Sequence, residues 1–246
     1  MTESAAIIAS GLNGLMQQLD TVAHNVANAE TAGFKRQVVS FQQEYEKQLE
    51  AIDGARSPQS SPVEVSESLD FSQGPLVATE RPLDLGLEGK GFLVVETPNG
   101  PMYTRNGCMQ INLLGQLVDL SGRIIAGDNG PINLPPTVTE SELQVSADGS
   151  ISAGGAVIGK LRMVDFGADE NRLIPVGMGV FQAPNGLNPS PAESLAIRQG
   201  YQEKSNVQMV QEMVNMVTLS RLYEANMNVL KRQRENSQAV LGVANS

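Results

Sequence analysis

A chain of 246 residues that is 41% apolar can bury a sizeable core, yet a formal charge of −10 argues against a polyanionic partner such as nucleic acid or an anionic membrane surface. One Cys and one His exclude an intramolecular disulfide framework and a Cys-rich metal site, and ten Phe and Tyr residues with no Trp leave little for sugar stacking. No run of about 18 apolar residues occurs, so no membrane span is expected, and Met1-Thr2-Glu3 lacks the basic segment that opens a cleavable secretory signal.

Residues 5 to 29 read as an amphipathic helix. Ile8, Leu12, Leu15, Leu19, Val22 and Val26 recur at alternating spacings of four and three, a heptad stripe. The tract Asn28-Ala29-Glu30-Thr31-Ala32-Gly33 then ends it, with a glycine able to take the left-handed conformation in which helices stop. The opposite face carries Asn13, Gln17, Asp20 and Asn25, mostly amides rather than the Lys and Glu of a solvated surface. His24, without Cys or acidic residues at ligand spacing, is expected to cap the helix or hydrogen-bond a neighbour and not to bind a metal.

From Ala51 to Gln73 the composition shifts to Gly, Ser and Pro, which favours extended or irregular backbone, and the stretch reads as an arm that packs along a partner. From Gly74 onward short strand-like runs alternate with glycine-bearing turns. The runs are Leu83 to Leu87, Phe92 to Thr97, Met102 to Arg105, Met109 to Asn112, Gln116 to Leu120, Arg123 to Ala126, Leu143 to Ser146, Val157 to Phe166 and Val180 to Gln182. A turn about every ten residues leaves no room for crossover helices, so this is antiparallel β, a barrel or a sandwich, and a Rossmann-type site is excluded. Gly86-Leu87-Glu88-Gly89-Lys90-Gly91 has the wrong glycine order for a dinucleotide fingerprint. Asp165, Asp169 and Glu170 lack an accompanying nucleophile or base, and Cys108 reads as a small buried hydrophobe. No catalytic residue, metal or cofactor is expected.

Residues 203 to 244 read as a second amphipathic helix with an unusually wide apolar face. Met209, Met213, Met216, Tyr223, Met227, Leu230 and Leu241 run beside Val207, Val210, Val214 and Val217. Lys231, Arg232 and Arg234 sit late in it, where cations complement the helix dipole. Helices at both ends of a chain must meet each other or other subunits, which points to assembly rather than catalysis.

Four segments carry a resemblance. NVANAETAGFKR at 25 to 36 resembles the signature closing the N-terminal helix of bacterial flagellar axial proteins, the rod and hook subunits. SNVQMVQEMVNMVTLSRLYEANMNVL at 205 to 230 is similar to their C-terminal helix. RPLDLGLEGKGFLVV at 81 to 95 and YTRNG at 103 to 107 resemble their central β segment. The matching positions are Asn25, Ala27, Asn28, Thr31, Gly33, Phe34 and Lys35, then Gly91, Phe92, Tyr103, Thr104, Arg105 and Gly107, then Ser205, Asn206 and Val207.

The resemblance implies an α+β fold, with N- and C-terminal helices pairing as a coiled-coil core domain and a central all-β antiparallel domain. Leu12, Leu15, Leu19, Val22 and Val26 would face Val210, Met213, Val214, Val217 and Met227, with Ile8 and Leu230 as further packing positions. The domain boundaries would be 1–35 for the N-terminal helix, 36–74 for the arm, 75–200 for the β domain and 201–246 for the C-terminal helix. The implied role is a structural subunit of the proximal rod, polymerising helically into a hollow drive shaft that transmits torque and allows export. Its partners would be copies of itself, proximal and distal rod subunits, and the flagellar type III export apparatus. Its place would be the periplasmic rod of the basal body, reached without a cleaved signal. The distal rod type and hook-related proteins are the alternatives within the family, and a secreted adhesive module the alternative outside it.

Overall fold

The computed structural model describes residues 2–42, 64–136 and 138–244. In chain order these form α1 (Thr2–Ala27), β1 (Arg36–Gln42), β2 (Glu64–Asp70), β3 (Leu76–Ala78), β4 (Leu85–Glu88), β5 (Phe92–Thr97), β6 (Gly100–Thr104), β7 (Met109–Ile111), β8 (Leu117–Asp119), β9 (Ile124–Gly127) and β10 (Gly130–Pro131). There follow β11 (Leu143–Val145), β12 (Ser150–Ala153), β13 (Ala156–Lys160), β14 (Met163–Asp165), β15 (Ile174–Gly177), β16 (Val180–Gln182), β17 (Ser190–Pro191), β18 (Ala196–Gln199), β19 (Tyr201–Glu203) and α2 (Met209–Ala244). The described residues divide into a helical unit, 2–27, 37–42, 64–68 and 208–244, and a β unit, 28–36 and 69–207.

The β unit is antiparallel, as its turn spacing leads one to expect. Its main sheet follows the order β15-β16-β6-β5-β9-β8-β7, with β14 pairing β5 and β17. β11, β12 and β13 form a second sheet, and β18-β4 and β19-β3 are two-stranded ladders. The run Phe92-Leu93-Val94-Val95 is continuously apolar because both faces of β5 are buried. Leu93 and Val95 enter the larger core with Leu85, Leu87, Met109 and Ile125. Phe92 and Val94 enter a smaller aromatic core with Tyr103, Phe166 and Phe181. In that core Tyr103 meets Phe166 edge to face at 4.8 Å, and Phe92 meets Phe71 at 5.4 Å.

Two expected runs are rearranged. Val157 to Phe166 breaks in two, because β13 pairs β12 while β14 pairs β5, so the chain changes sheets at Leu161. The segment from 203 does not start a helix: β19 runs to Glu203 and α2 begins at Met209, because the intervening residues hold polar contacts within the β unit. The arm expected from Ala51 lies mostly outside the described residues; from Glu64 it forms β2, paired with β1. No helix among the described residues is long and apolar enough to cross a membrane.

The fold class needs correction at the helices. Both lie in the helical unit and pack against each other, but among the described residues the expected coiled-coil core does not form. Val210, Met213, Val214, Val217 and Met227, the residues expected to close the pair, are exposed, from 44% at Met227 to 76% at Val210. The stripe of α2 that is shielded runs through Met209, Glu212, Met216, Leu219, Tyr223, Asn226 and Leu230. A carboxylate and an amide interrupt it, so it is not the continuous apolar seam that a coiled coil requires. In α1, Leu12 and Val22 are buried and Leu15, Leu19 and Val26 half-buried, whereas the side chain of Ile8 lies outside the described residues.

Candidate functional site

Two family-like residues of the β unit, Lys35 and Arg105, meet at one buried ionic junction, to which a third, Gly91, lends its carbonyl. The tract after α1 turns tightly, with the Thr31 amide donating to the Asn28 carbonyl at 3.0 Å and the Thr31 hydroxyl to Asn28 Oδ1 at 3.2 Å. Gly33 then takes φ +65°, and a Cβ there would lie 2.6 Å from the Asn106 nitrogen, so only glycine fits. Its amide donates to the Glu203 carbonyl at 2.9 Å. Two residues on, Lys35 enters the interior with its side chain fully shielded.

Lys35 Nζ donates to Glu203 Oε1 at 2.8 Å and to the Ser72 carbonyl at 2.7 Å. Arg105 Nε donates to Glu203 Oε2 at 2.9 Å, while Nη1 donates to the Gly91 carbonyl at 2.8 Å and Nη2 to that of Leu87 at 3.3 Å. The Gly74 amide completes the coordination of Glu203 Oε1 at 3.0 Å. Two buried cations therefore share one buried carboxylate. Burial pushes the Lys35 ammonium below the ordinary lysine range; Glu203 pulls the other way, and the charge of Arg105 adds to the lowering. Separations of 168 residues for Lys35–Glu203 and 98 for Arg105–Glu203 make this a clasp between three distant parts of the chain.

Neighbouring motif residues extend the clasp. Asn206 accepts the Arg36 amide on Oδ1 at 2.8 Å and donates from Nδ2 to the Asp70 carbonyl at 2.8 Å and to Ser72 Oγ at 3.0 Å. Ser205 Oγ accepts the Val207 amide at 3.2 Å, and Val207 is buried. Thr104 Oγ1 donates to the Gly179 carbonyl at 2.7 Å and accepts the Asn106 amide at 3.0 Å. Gly107 sits where a Cβ would run into the Leu85 carbonyl. Phe34 is half-buried, and Ala27 is exposed. In the helical unit Asn25, almost fully buried, hydrogen-bonds both backbone groups of Gln37, at 2.8 and 2.9 Å, which ties the end of α1 to β1.

The remaining sequence candidates have ordinary roles. His24 Nδ1 lies 3.0 Å from Gln37 Oε1. Asp165 accepts the Gly167 amide at 3.0 Å, Asp169 pairs with Arg172 at 3.3 Å and Glu170 with Lys90 at 3.5 Å. Gly89 and Gly91 have φ of +98° and +131°, as the turn before β5 requires. Among the described residues no group of three or more His, Cys, Asp or Glu could hold a metal ion. Sequence reasoning missed Glu203, which it placed inside a helix. Lys35 and Arg105 were legible as motif positions, but nothing in their spacing points to a shared carboxylate.

Comparison with known proteins bears on this arrangement directly. Residues 7–35 match a family described as "Flagella basal body rod protein", residues 86–153 the "Flagellar hook protein FlgE/F/G D1 domain", and residues 198–243 the "Flagellar basal body rod FlgEFG protein C-terminal". The chain is 33% identical to the flagellar basal-body rod protein FlgF of Salmonella typhimurium, over 90% of each chain. It is 31% identical to FlgF of Caulobacter vibrioides, over 92% of this chain and 91% of that one. The rod protein FlgG of Buchnera aphidicola subsp. Schizaphis graminum is 30% identical, over 92% and 94%. Lys35, Arg105 and Glu203 each fall within a different one of the three matched segments, and the clasp joins one residue from each. The chain belongs to the flagellar basal-body rod protein family, as a structural, non-enzymatic component of the flagellar basal body, nearer to the FlgF than to the FlgG members.

Proposed function

We propose that the chain is a proximal rod subunit that stacks helically, with copies of itself and with other proximal and distal rod proteins, into a hollow shaft in the periplasmic part of the basal body. The shaft transmits motor torque and leaves a channel for export. The subunit itself reaches the rod through the flagellar type III apparatus with its N-terminus uncleaved. One observation carries the assembly reading: α2 leaves Val210, Met213, Val214, Val217, Met227 and Val229 exposed. So much apolar surface on one helix is a surface awaiting partners. Half-buried Leu15, Leu19 and Val26 of α1 and Leu230 of α2 are further packing positions in this reading.

Val214→Asp tests it. Val214 is 55% exposed, so the substitution should leave the stability of the isolated chain within about 0.5 kcal/mol. In the assembled rod the carboxylate would be buried without a partner. Cells carrying this variant in place of the native chain should lose motility and rod completion; normal swimming would refute the assignment of this face to assembly.

A further inference from the structure

We propose that residues 196–207 act as a strap that closes the β unit, and that the β unit does not fold until the strap is in place. Two features of the topology lead there. β3 and β4 lie near the start of the β unit, and each forms a two-stranded ladder whose other strand belongs to the strap, β19 and β18 respectively. Leu87 stands opposite Ile197 and Leu85 opposite Gln199, while Leu76 stands opposite Glu203. The strap also reaches the second sheet: the Ile197 amide donates to the Ala147 carbonyl at 2.9 Å, and Gln199 Nε2 donates to the carbonyls of Leu143 at 2.8 Å and Pro82 at 2.9 Å.

The second feature is the carboxylate. Glu203 is on the strap, and both cations that it neutralises are elsewhere, fully shielded or nearly so. Before the strap docks, burying Lys35 and Arg105 would leave two charges in the interior without their counter-ion, which is strongly unfavourable. Those side chains and the backbone around them therefore stay in water until Glu203 arrives. Because the ladder partners are more than a hundred residues apart, the loop-closure entropy is lost before the contacts that offset it are made. A chain supplied from its N-terminus would remain open along its β segment until almost all of it had been delivered. The proposal deepens the export reading and rests on it for its use in the cell, although the folding behaviour can be tested without it.

The test is the refolding of the full chain from urea, followed by pulsed hydrogen exchange at the amides of β3, β4 and β5. In Glu203→Gln the folding rate should fall by roughly a hundredfold to a few thousandfold, while the unfolding rate changes little, because the closure is made in the rate-limiting step. Protection at β3, β4 and β5 should be delayed together. Should this variant fail to fold, Ile197→Val, which removes one methylene from a core position of the strap, gives the same reading with a slowing of folding between about twofold and tenfold. Folding rates that match the native chain, with the stability loss expressed in unfolding alone, or early protection of β5, would overturn the proposal and leave the export and assembly readings standing.

Discussion

Replacing Lys35 by Met should cost far less than its central position suggests. The substitution removes two charged hydrogen bonds, to Glu203 Oε1 at 2.8 Å and to the Ser72 carbonyl at 2.7 Å, each contributing about 1.5–3 kcal/mol. Against this stands the desolvation of a fully shielded ammonium, a penalty of several kcal/mol that the variant no longer carries. No acceptor is orphaned: Glu203 Oε1 keeps the Gly74 amide, Oε2 keeps Arg105, and the Ser72 carbonyl keeps Asn206 Nδ2 at 3.1 Å. The thioether stem fills much of the vacated space. The net loss should be about 0–2 kcal/mol, compared with about 3–5 kcal/mol for Glu203→Gln, which leaves two cations facing a neutral amide. Urea unfolding of both variants measures the difference. The pH dependence adds a second check. Burial holds the folded-state Lys35 below its ordinary range, so between the folded and unfolded titrations the unfolded chain binds more protons, and stability due to Lys35 rises with pH. It is lost as pH falls through the folded titration. The native chain should therefore gain on Lys35→Met as pH is raised toward the ordinary lysine range. A flat difference, or a greater loss in Lys35→Met than in Glu203→Gln, would refute the reasoning.

Two further outcomes are expected. Gly33→Ala should destabilise the β unit by more than about 2 kcal/mol, since the left-handed φ of +65° strains any Cβ and that atom would press on the Asn106 nitrogen; thermal unfolding within 1 kcal/mol of native would contradict this. Cys108 should resist a thiol reagent at neutral pH until the chain unfolds. It is buried, it accepts Gln202 Nε2 at 2.9 Å, and burial followed by the charge of Asp84 pushes its thiol upward. Rapid modification of the folded chain would count against that environment.

Much of the fold could be read in advance where local rules decide. Phe92 to Thr97 was bounded as β5 because an apolar run stood between Gly91 and the Pro98-Asn99-Gly100 turn. By contrast β3, β15, β18 and β19 carry weak strand signals, since each is defined by its pairing rather than by alternation. α1 was legible from its heptad stripe, whereas the two adjacent stripes of α2 left several faces eligible for burial, and the face expected to pair is the one left in solvent. The motif positions Lys35 and Arg105 could be named without their partner being found.

By itself, then, the sequence determined the helical ends, the antiparallel character of the middle, the glycine-bearing turns and the family, because periodicity, backbone strain and motif order act over short stretches of chain. Only the tertiary structure decided which face of α2 is covered, where the C-terminal helix begins, and that Glu203 neutralises two cations 168 and 98 residues away. An ion pair of that span follows from how sheets close and which charges they trap, and closure is a property of the whole packed unit that no local pattern encodes.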